Sequence, residues 1–209
     1  MVPVTGGEWA EVRTIALGAV EQDAEGDTHT SGLRYFSRLC SAATFIDWVD
    51  LPLYEAGTAR AGTVVAVQDG ADWLSQVLDA HCPEAVRILD FPHAAEYLTK
   101  AAQAAFGTGT AETSAWLDTW FHHLKHGNPE AVIAAVRALP APSAEAAAIR
   151  DGAARYLSRR RRQIAYADFQ AQGYPIGSGM VESANKLVVE QRLKGAGMST
   201  PYGRGPAGT

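Results

Sequence analysis

Two short apolar runs, each followed by a helical pattern, constrain the fold of this chain more than any other feature. Residues 63–67 and 86–89 form the runs, which are typical of strands buried within a sheet. Apolar residues then recur at helical spacing over residues 71–81 and from about 93 to 106. This alternation predicts a right-handed βαβα unit with two parallel strands.

The N-terminal segment adds a predicted strand over residues 11–20, which are β-branched and apolar and precede a turn-forming stretch. For residues 33–36 the pattern leaves a short strand and the start of a helix both open. Apolar residues fall near helical spacing over residues 34–48, which favours a helix there. The expected fold class is therefore α/β.

The following residues, 110–164, carry Ala-rich apolar stripes with short proline breaks, and we expect this stretch to be wholly helical. A glycine-rich loop over residues 172–179 then leads into a predicted helix at about 180–193. Residues 199–209 are rich in glycine and proline and are expected to be disordered.

Composition excludes several classes of protein. The 209 residues are 47% hydrophobic and 20% charged, as in ordinary globular domains. No stretch approaches the roughly 18 uninterrupted apolar residues of a membrane-spanning helix. Residues 1–8 lack a basic region followed by an apolar core, so no signal peptide is expected. Cys40 and Cys82 are too far apart for a zinc ribbon, so a reduced cytoplasmic setting without a membrane partner is expected.

Charge is distributed unevenly along the chain, although the net charge is only −5. Residues 150–209 hold ten Lys and Arg against four Asp and Glu, whereas the residues before them hold eight against nineteen. The basic part includes Arg159, Arg160, Arg161 and Arg162. It suggests a polyanion partner, and a solvated helix face is the equally weighted alternative.

Asp69 directly follows the first buried strand and precedes Gly70. Ligands of open α/β sheets bind at the carboxyl ends of strands, so this carboxylate is a candidate metal ligand. The alternative is that Asp69 caps the helix that follows.

Three further polar residues occupy similar positions. Asp90 and His93 follow the second strand, where they would either bind a metal together or hold each other by a hydrogen bond. The structural alternative is that Asp90 caps the helix that follows. Glu182 begins the helix after the glycine-rich loop, where the helix dipole stabilises an anion. Lys186 is placed either to pair with Glu182 or to face a phosphate.

Three segments together carry a family resemblance. They are Val67-Gln-Asp-Gly-Ala-Asp-Trp73, Arg87-Ile-Leu-Asp-Phe-Pro-His-Ala-Ala-Glu96, and Tyr174-Pro-Ile-Gly-Ser-Gly-Met-Val-Glu-Ser-Ala-Asn-Lys186 with Gln191-Arg-Leu-Lys-Gly-Ala-Gly-Met198. The chain resembles transposases of bacterial insertion sequences of the Kra group, which are related to Mutator-type transposases. The similarity extends over nearly the whole chain, to about Met198.

The resemblance implies a ribonuclease-H-like mixed sheet with an all-helical insertion. It divides the chain into an α/β core at 1–106, a helical insertion at 107–165, the end of the core at 166–198 and a tail at 199–209. The implied activity is cleavage and joining of DNA by an Asp-Asp-Glu triad with Mg²⁺ or Mn²⁺. Asp69 would match the second Asp of the triad and Glu182 the Glu, while Asp90 and His93 would match a supporting Asp-x-x-His element.

The expected partner is DNA, both the element's ends and its target, and the protein would then be associated with the nucleoid. The residues expected to contact phosphates are the four arginines at 159–162 together with Lys186, Arg192 and Lys194. Whether the chain forms a homo-oligomer is left open.

The family's first Asp lies on the first strand, before the residues that match Met1 to Val4, and the match fades after Met198. We therefore expect a transposase that is truncated at both ends, with its first strand largely missing, and that is inactive as given. A non-catalytic DNA-binding or inert remnant of an insertion sequence is the alternative.

Overall fold

A computed structural model describes residues 2–3, 9–10 and 12–179, and the side chains of residues 12–179. It shows a mixed α/β protein in which helices predominate. The predicted helix at 180–193, the tail, and the candidate residues Glu182, Lys186, Arg192 and Lys194 lie outside the described residues.

The strands form three separate two-stranded sheets within the described part of the chain. The first two pairs are antiparallel and the third is parallel. The strands are β1 (Val2–Pro3), β2 (Trp9–Ala10), β3 (Arg13–Gln22), β4 (Thr28–Arg38), β5 (Val65–Gln68) and β6 (Val86–Leu89).

The helices lie mostly in the second half of the chain, and none that the structure describes is long and apolar enough to cross a bilayer. Two short 3₁₀ turns, Thr58–Arg60 and Arg161–Ile164, accompany them. The α-helices are α1 (Ala42–Trp48), α2 (Asp50–Ala56), α3 (Asp72–His81), α4 (Phe91–Phe106), α5 (Ala111–His126), α6 (Pro129–Ala138), α7 (Ala144–Arg159) and α8 (Tyr166–Ala171).

The predicted parallel pair is confirmed, since β5 and β6 pair in parallel from Val65↔Val86 to Gln68↔Leu89. The helices after these strands also lie where the periodicity put them. The helical interpretation of residues 34–48 is wrong in its first part. Residues 34–38 belong to β4, where cross-strand pairing as far as Arg38↔Arg13 overrides the helical spacing of the apolar residues. The helix begins only after Ser41, whose side chain caps it by accepting from Thr44 N–H.

Two apolar cores hold the protein together. The larger one forms where β6 and α4 pack against the helices α5–α8. The smaller one is centred on Phe45, Val49, Leu53 and Val77 and joins α1, α2 and α3 to the inner residues of the hairpin β3–β4. The predicted boundary between residues 106 and 107 coincides with the end of α4, but the helices beyond it share a core with α4.

Tyr166 anchors the helical layer to the parallel strands. Its side chain is fully buried, its ring meets Phe91 edge-on, and its hydroxyl donates to the Leu89 carbonyl at 2.7 Å. Burial, assisted by the nearby Asp90, raises the pKa of Tyr166 above its usual value, so the hydroxyl keeps the proton that it donates. This bond fixes the end of β6, where the candidate residues begin.

Candidate functional site

Two carboxylates follow the paired ends of the parallel strands. Gln68 and Leu89 are partners in the register, so Asp69 and Asp90 are the next residues at the same edge of the sheet. A backbone bond from Asp90 N–H to the Gln68 carbonyl, 2.7 Å long, extends the pairing to this point. The strand pairing thus places the two candidate acids at the same edge of the sheet, but their surroundings differ.

Asp69 is exposed to solvent. Its Oδ1 accepts from Ala71 N–H at 2.8 Å, and Oδ2 has no hydrogen-bond partner within the described residues. The residue does not cap α3, because the N-cap position is Ala71 and that cap lacks a side-chain hydrogen bond. One carboxylate oxygen of Asp69 is therefore available to a cation or another ligand.

Asp90 is completely buried, and both of its oxygens are used. Ser178 donates twice, from its N–H to Oδ1 at 2.8 Å and from its hydroxyl to Oδ2 at 2.6 Å. His93 Nδ1 lies 3.2 Å from the same Oδ2. Asp90 occupies the N-cap position of α4, but its side chain accepts no capping hydrogen bond there. Of the alternatives that the sequence left open for this pair, the structure shows the hydrogen bond between Asp90 and His93.

The Asp90 contacts hold the loop at residues 174–179 against the end of β6. A backbone bond from Phe91 N–H to the Ile176 carbonyl, 2.9 Å long, reinforces them. Because Asp90 and Ser178 are 88 residues apart in the chain, this contact closes the second half of the protein into one unit. It also fixes the backbone that leads directly toward Glu182.

The turn that carries Asp69 is held from the helical layer. Arg160 donates from Nη2 to the Gly70 carbonyl at 2.9 Å, and the Tyr156 hydroxyl lies 3.4 Å from the Asp69 carbonyl. The Arg160 guanidinium rests on the Tyr156 ring at 3.9 Å, and that ring stacks on Tyr97 with centroids 3.8 Å apart. Burial raises the pKa of Tyr156 to about 12, so its hydroxyl remains protonated.

Gly70 is required for this close approach. Its φ of +83° lies in the left-handed region, and a Cβ there would clash with the Tyr156 hydroxyl and come within 3.2 Å of Arg160 Nε. A side chain at position 70 would therefore push the Tyr156 and Arg160 contacts away from the turn.

The four candidate arginines do not form one helix face, because α7 ends at Arg159 and a 3₁₀ turn follows. Arg160 differs from the others, since its guanidinium is occupied by Gly70 and Tyr156. Arg159, Arg161 and Arg162 are exposed, and Arg161 reaches Glu130 only at 3.9 Å. These three remain available to an external anion.

Metal ligands are sparse in the described part of the chain. No group of three or more His, Cys, Asp or Glu side chains comes together there in a way that could hold an ion. Asp69 supplies one available carboxylate oxygen, whereas Asp90 is completely buried and its oxygens already contact Ser178 and His93. Glu182 and the basic residues Lys186, Arg192 and Lys194 lie beyond Gly179, where the description ends.

Sequence reasoning missed Ser178, Tyr156 and the structural role of Arg160. A signal existed for Ser178, because a serine between two glycines is well suited to bring its N–H and hydroxyl to one acceptor. The four-residue spacing of Tyr156 and Arg160 predicts only that their side chains lie on the same side of a helix. Their contact with Gly70 depends on how α7 packs against α4, which local sequence does not encode.

Comparison with protein-family models, with curated proteins and with solved structures yields no match for this chain.

We expect Ser178→Ala to lower the free energy of unfolding by about 1.5 to 3 kcal/mol, because a buried carboxylate loses a hydroxyl donor. Urea denaturation followed by circular dichroism measures the change. Ser114→Ala is the control, since its hydroxyl donates to a helix carbonyl at the surface, and it should change stability by less than about 0.5 kcal/mol. Equal effects of the two variants would contradict the assigned role of Ser178.

A second comparison separates backbone strain from close approach at Gly70. Gly109 also has a positive φ, +74°, but a Cβ there would meet open space. Gly109→Ala should cost about 1 kcal/mol for the strained backbone alone. Gly70→Ala should cost about 1 to 3 kcal/mol more, because the new methyl group also displaces Tyr156. Equal losses in urea denaturation would show that the turn does not depend on the Tyr156 and Arg160 contacts.

Proposed function

We propose that this chain is part of a DNA transposase of bacterial insertion sequences, of the Kra group related to Mutator-type enzymes, with a ribonuclease-H-like fold. The three sequence segments that carry the resemblance include Asp69, Asp90 with His93, and the loop that contains Ser178. Within the described residues, Asp69, Asp90 with His93, and Ser178 lie around the ends of β5 and β6. Residues far apart in the sequence thus share one location, as a functional site requires.

The observation that carries the proposal is the contrast between the two carboxylates. Asp69 is exposed with one oxygen available, at the strand edge where α/β sheets bind ligands, whereas Asp90 is buried with both oxygens bonded. Asp69 is therefore proposed as a ligand of Mg²⁺ or Mn²⁺, and Glu182 as a second ligand by resemblance. A bound divalent ion would activate the attacking hydroxyl and stabilise the leaving oxygen in phosphodiester cleavage.

Asp90 and His93 are proposed as positioning residues. Asp90 binds the loop that precedes Glu182 in the chain, and only three residues separate Glu182 from the bonded Ser178. His93 supports the same carboxylate from the first turn of α4. Neither residue needs to touch a metal to perform this task.

DNA contact is proposed for the exposed arginines at the end of α7. Arg159, Arg161 and Arg162 project from a helix end and the turn after it, where they can approach phosphates without breaking strong internal pairs. Arg160 belongs to the Asp69 turn instead and is not expected to contribute an independent phosphate contact.

Efficient strand cleavage is proposed to need further carboxylates beside Asp69. Several carboxylates must converge on a hard cation for tight binding, and Asp69 alone would give only weak affinity. A non-catalytic remnant that binds DNA is the alternative function, and it would rest on the same exposed arginines.

Weak metal binding at Asp69 can be tested directly on this chain. Titration with Mn²⁺ at millimolar concentration should broaden the amide NMR signals of residues 69–71, because the ion is paramagnetic and would lie beside the carboxylate. Asp69→Asn should abolish the broadening. Asp72→Asn, which removes an exposed acid from the first turn of α3, should leave it unchanged. Broadening that persists in Asp69→Asn, or never develops, would rule out the proposed ligand.

DNA binding should be independent of sequence and sensitive to salt. Replacing Arg159, Arg161 and Arg162 by Ala should reduce the slope of log affinity against log salt concentration by about 2 to 3, since each phosphate contact contributes about 0.9. Fluorescence anisotropy with a labelled duplex at several salt concentrations measures this slope.

The charge-matched control replaces Arg60, Lys100 and Lys125, three exposed cations elsewhere in the chain. We expect this variant to retain most of the slope of log affinity against log salt concentration. An unchanged slope in the arginine variant, or an equal loss in both variants, would show that the end of α7 is not the DNA-binding surface.

A further inference from the structure

Two histidines lie one helical turn apart near the C-terminal end of α5. His126 follows His122 by four positions, so their side chains are neighbours on one face of the helix. Both residues are exposed, and their ring centres lie 5.0 Å apart with the planes tilted by 47°. The helix therefore presents two imidazoles to the solvent side by side.

These two rings differ from the histidines outside α5, each of which lies against a carboxylate. The N–O distances are 2.6 Å for His29 with Asp23, 3.4 Å for His81 with Asp50 and 3.2 Å for His93 with Asp90. Within the described residues neither His122 nor His126 has a carboxylate or hydrogen-bond partner of this kind. Their ring nitrogens are therefore available to an external ligand.

The separation of the two rings is that of two imidazoles bound to one metal ion. A metal–nitrogen bond of about 2.0 to 2.1 Å puts each ring centre about 3.2 Å from the ion. For ligand angles of about 90° to 110°, the two ring centres then lie about 4.5 to 5.2 Å apart. The distance of 5.0 Å falls within this range, so both side chains reach one ion by rotation of their rings alone.

The charges around the pair also favour a cation. His126 is the last residue of α5, where the unpaired carbonyls of the helix end carry partial negative charge. Asp118 is exposed one turn before His122 and adds a carboxylate to the same side of the helix. Lys125 is exposed nearby, and its flexible stem lets the ammonium turn away from a bound ion.

The donor set selects the class of cation. Imidazole nitrogen suits Zn²⁺, Ni²⁺ and Cu²⁺, whereas Mg²⁺ and Mn²⁺ favour oxygen ligands. No third His, Cys, Asp or Glu side chain of the described residues completes a group here, so solvent would supply the other ligands. A site with two protein ligands binds more weakly than a structural zinc site with four.

We propose that His122 and His126 form a two-ligand site for a borderline divalent cation such as Zn²⁺. The ion binds the neutral imidazoles and links the last two turns of α5, and this linkage stabilises the folded protein by mass action. The site is separate from the proposed oxygen-ligand site at Asp69 and does not depend on the function of the chain.

The test is a Zn²⁺ titration of the full chain, followed by the NMR signals of the imidazole ring protons. The signals of His122 and His126 should shift together as the ion is added. His122→Gln and His126→Gln should each lower the affinity by at least about tenfold, because two linked ligands bind one ion far more tightly than either alone. Glutamine keeps the polar, exposed character of both positions, so the fold is retained.

His123→Gln is the matched control. His123 lies between the two ligands in the chain, but its ring rests against Trp120 with centroids 5.0 Å apart. The affinity of this variant should stay within about twofold of the unmodified chain, and about a tenfold excess of Mg²⁺ should not displace Zn²⁺. An equal loss in His123→Gln, an unchanged affinity in His122→Gln, or ring signals of His122 and His126 that do not move would each overturn the proposal.

Discussion

The buried Asp90 carboxylate is the contact on which the arrangement of the second half of the protein depends. It is the only charged residue among the buried ones that the structure describes, and Ser178 and His93 together satisfy it. Hydrophobic packing alone would not specify where the loop at 174–179 lies, because apolar contacts are non-directional. Two donors from one serine fix its position, and with it the direction from which the chain continues.

The helical layer has a comparable role, and it holds the ends of both parallel strands. Tyr166 bonds to the end of β6, while Tyr156 and Arg160 bond to the turn after β5. The helices 111–159 therefore do more than extend the core, since they set the backbone on which Asp69 is exposed. This arrangement explains how a carboxylate at a strand end keeps one oxygen available while the chain around it is firmly held.

Much of the fold could be predicted from local pattern. The parallel pair, the helices that follow it and the helical second half were all predictable, because short apolar runs and helical periodicity report burial directly. For residues 33–36 the pattern left strand and helix both open, because the pairing with β3 that decides between them is a non-local contact. Asp69 and Asp90 were each found as a candidate from its position at the end of a strand. Their different states depend on Ser178, 88 residues away from Asp90, which no local pattern reveals.

The link between Asp90 and Ser178 also bears on how the protein is made. On the ribosome β6 and α4 emerge long before residue 178, so for most of synthesis the Asp90 carboxylate lacks its serine donors. Burying an unsatisfied carboxylate is costly, and we therefore expect β6 to complete its packing only when the loop has left the exit tunnel. The helices 111–159 can assemble meanwhile through contacts that are close in sequence. From this order of synthesis we expect the sheet edge that carries Asp69 and Asp90 to be one of the last described parts of the protein to become rigid.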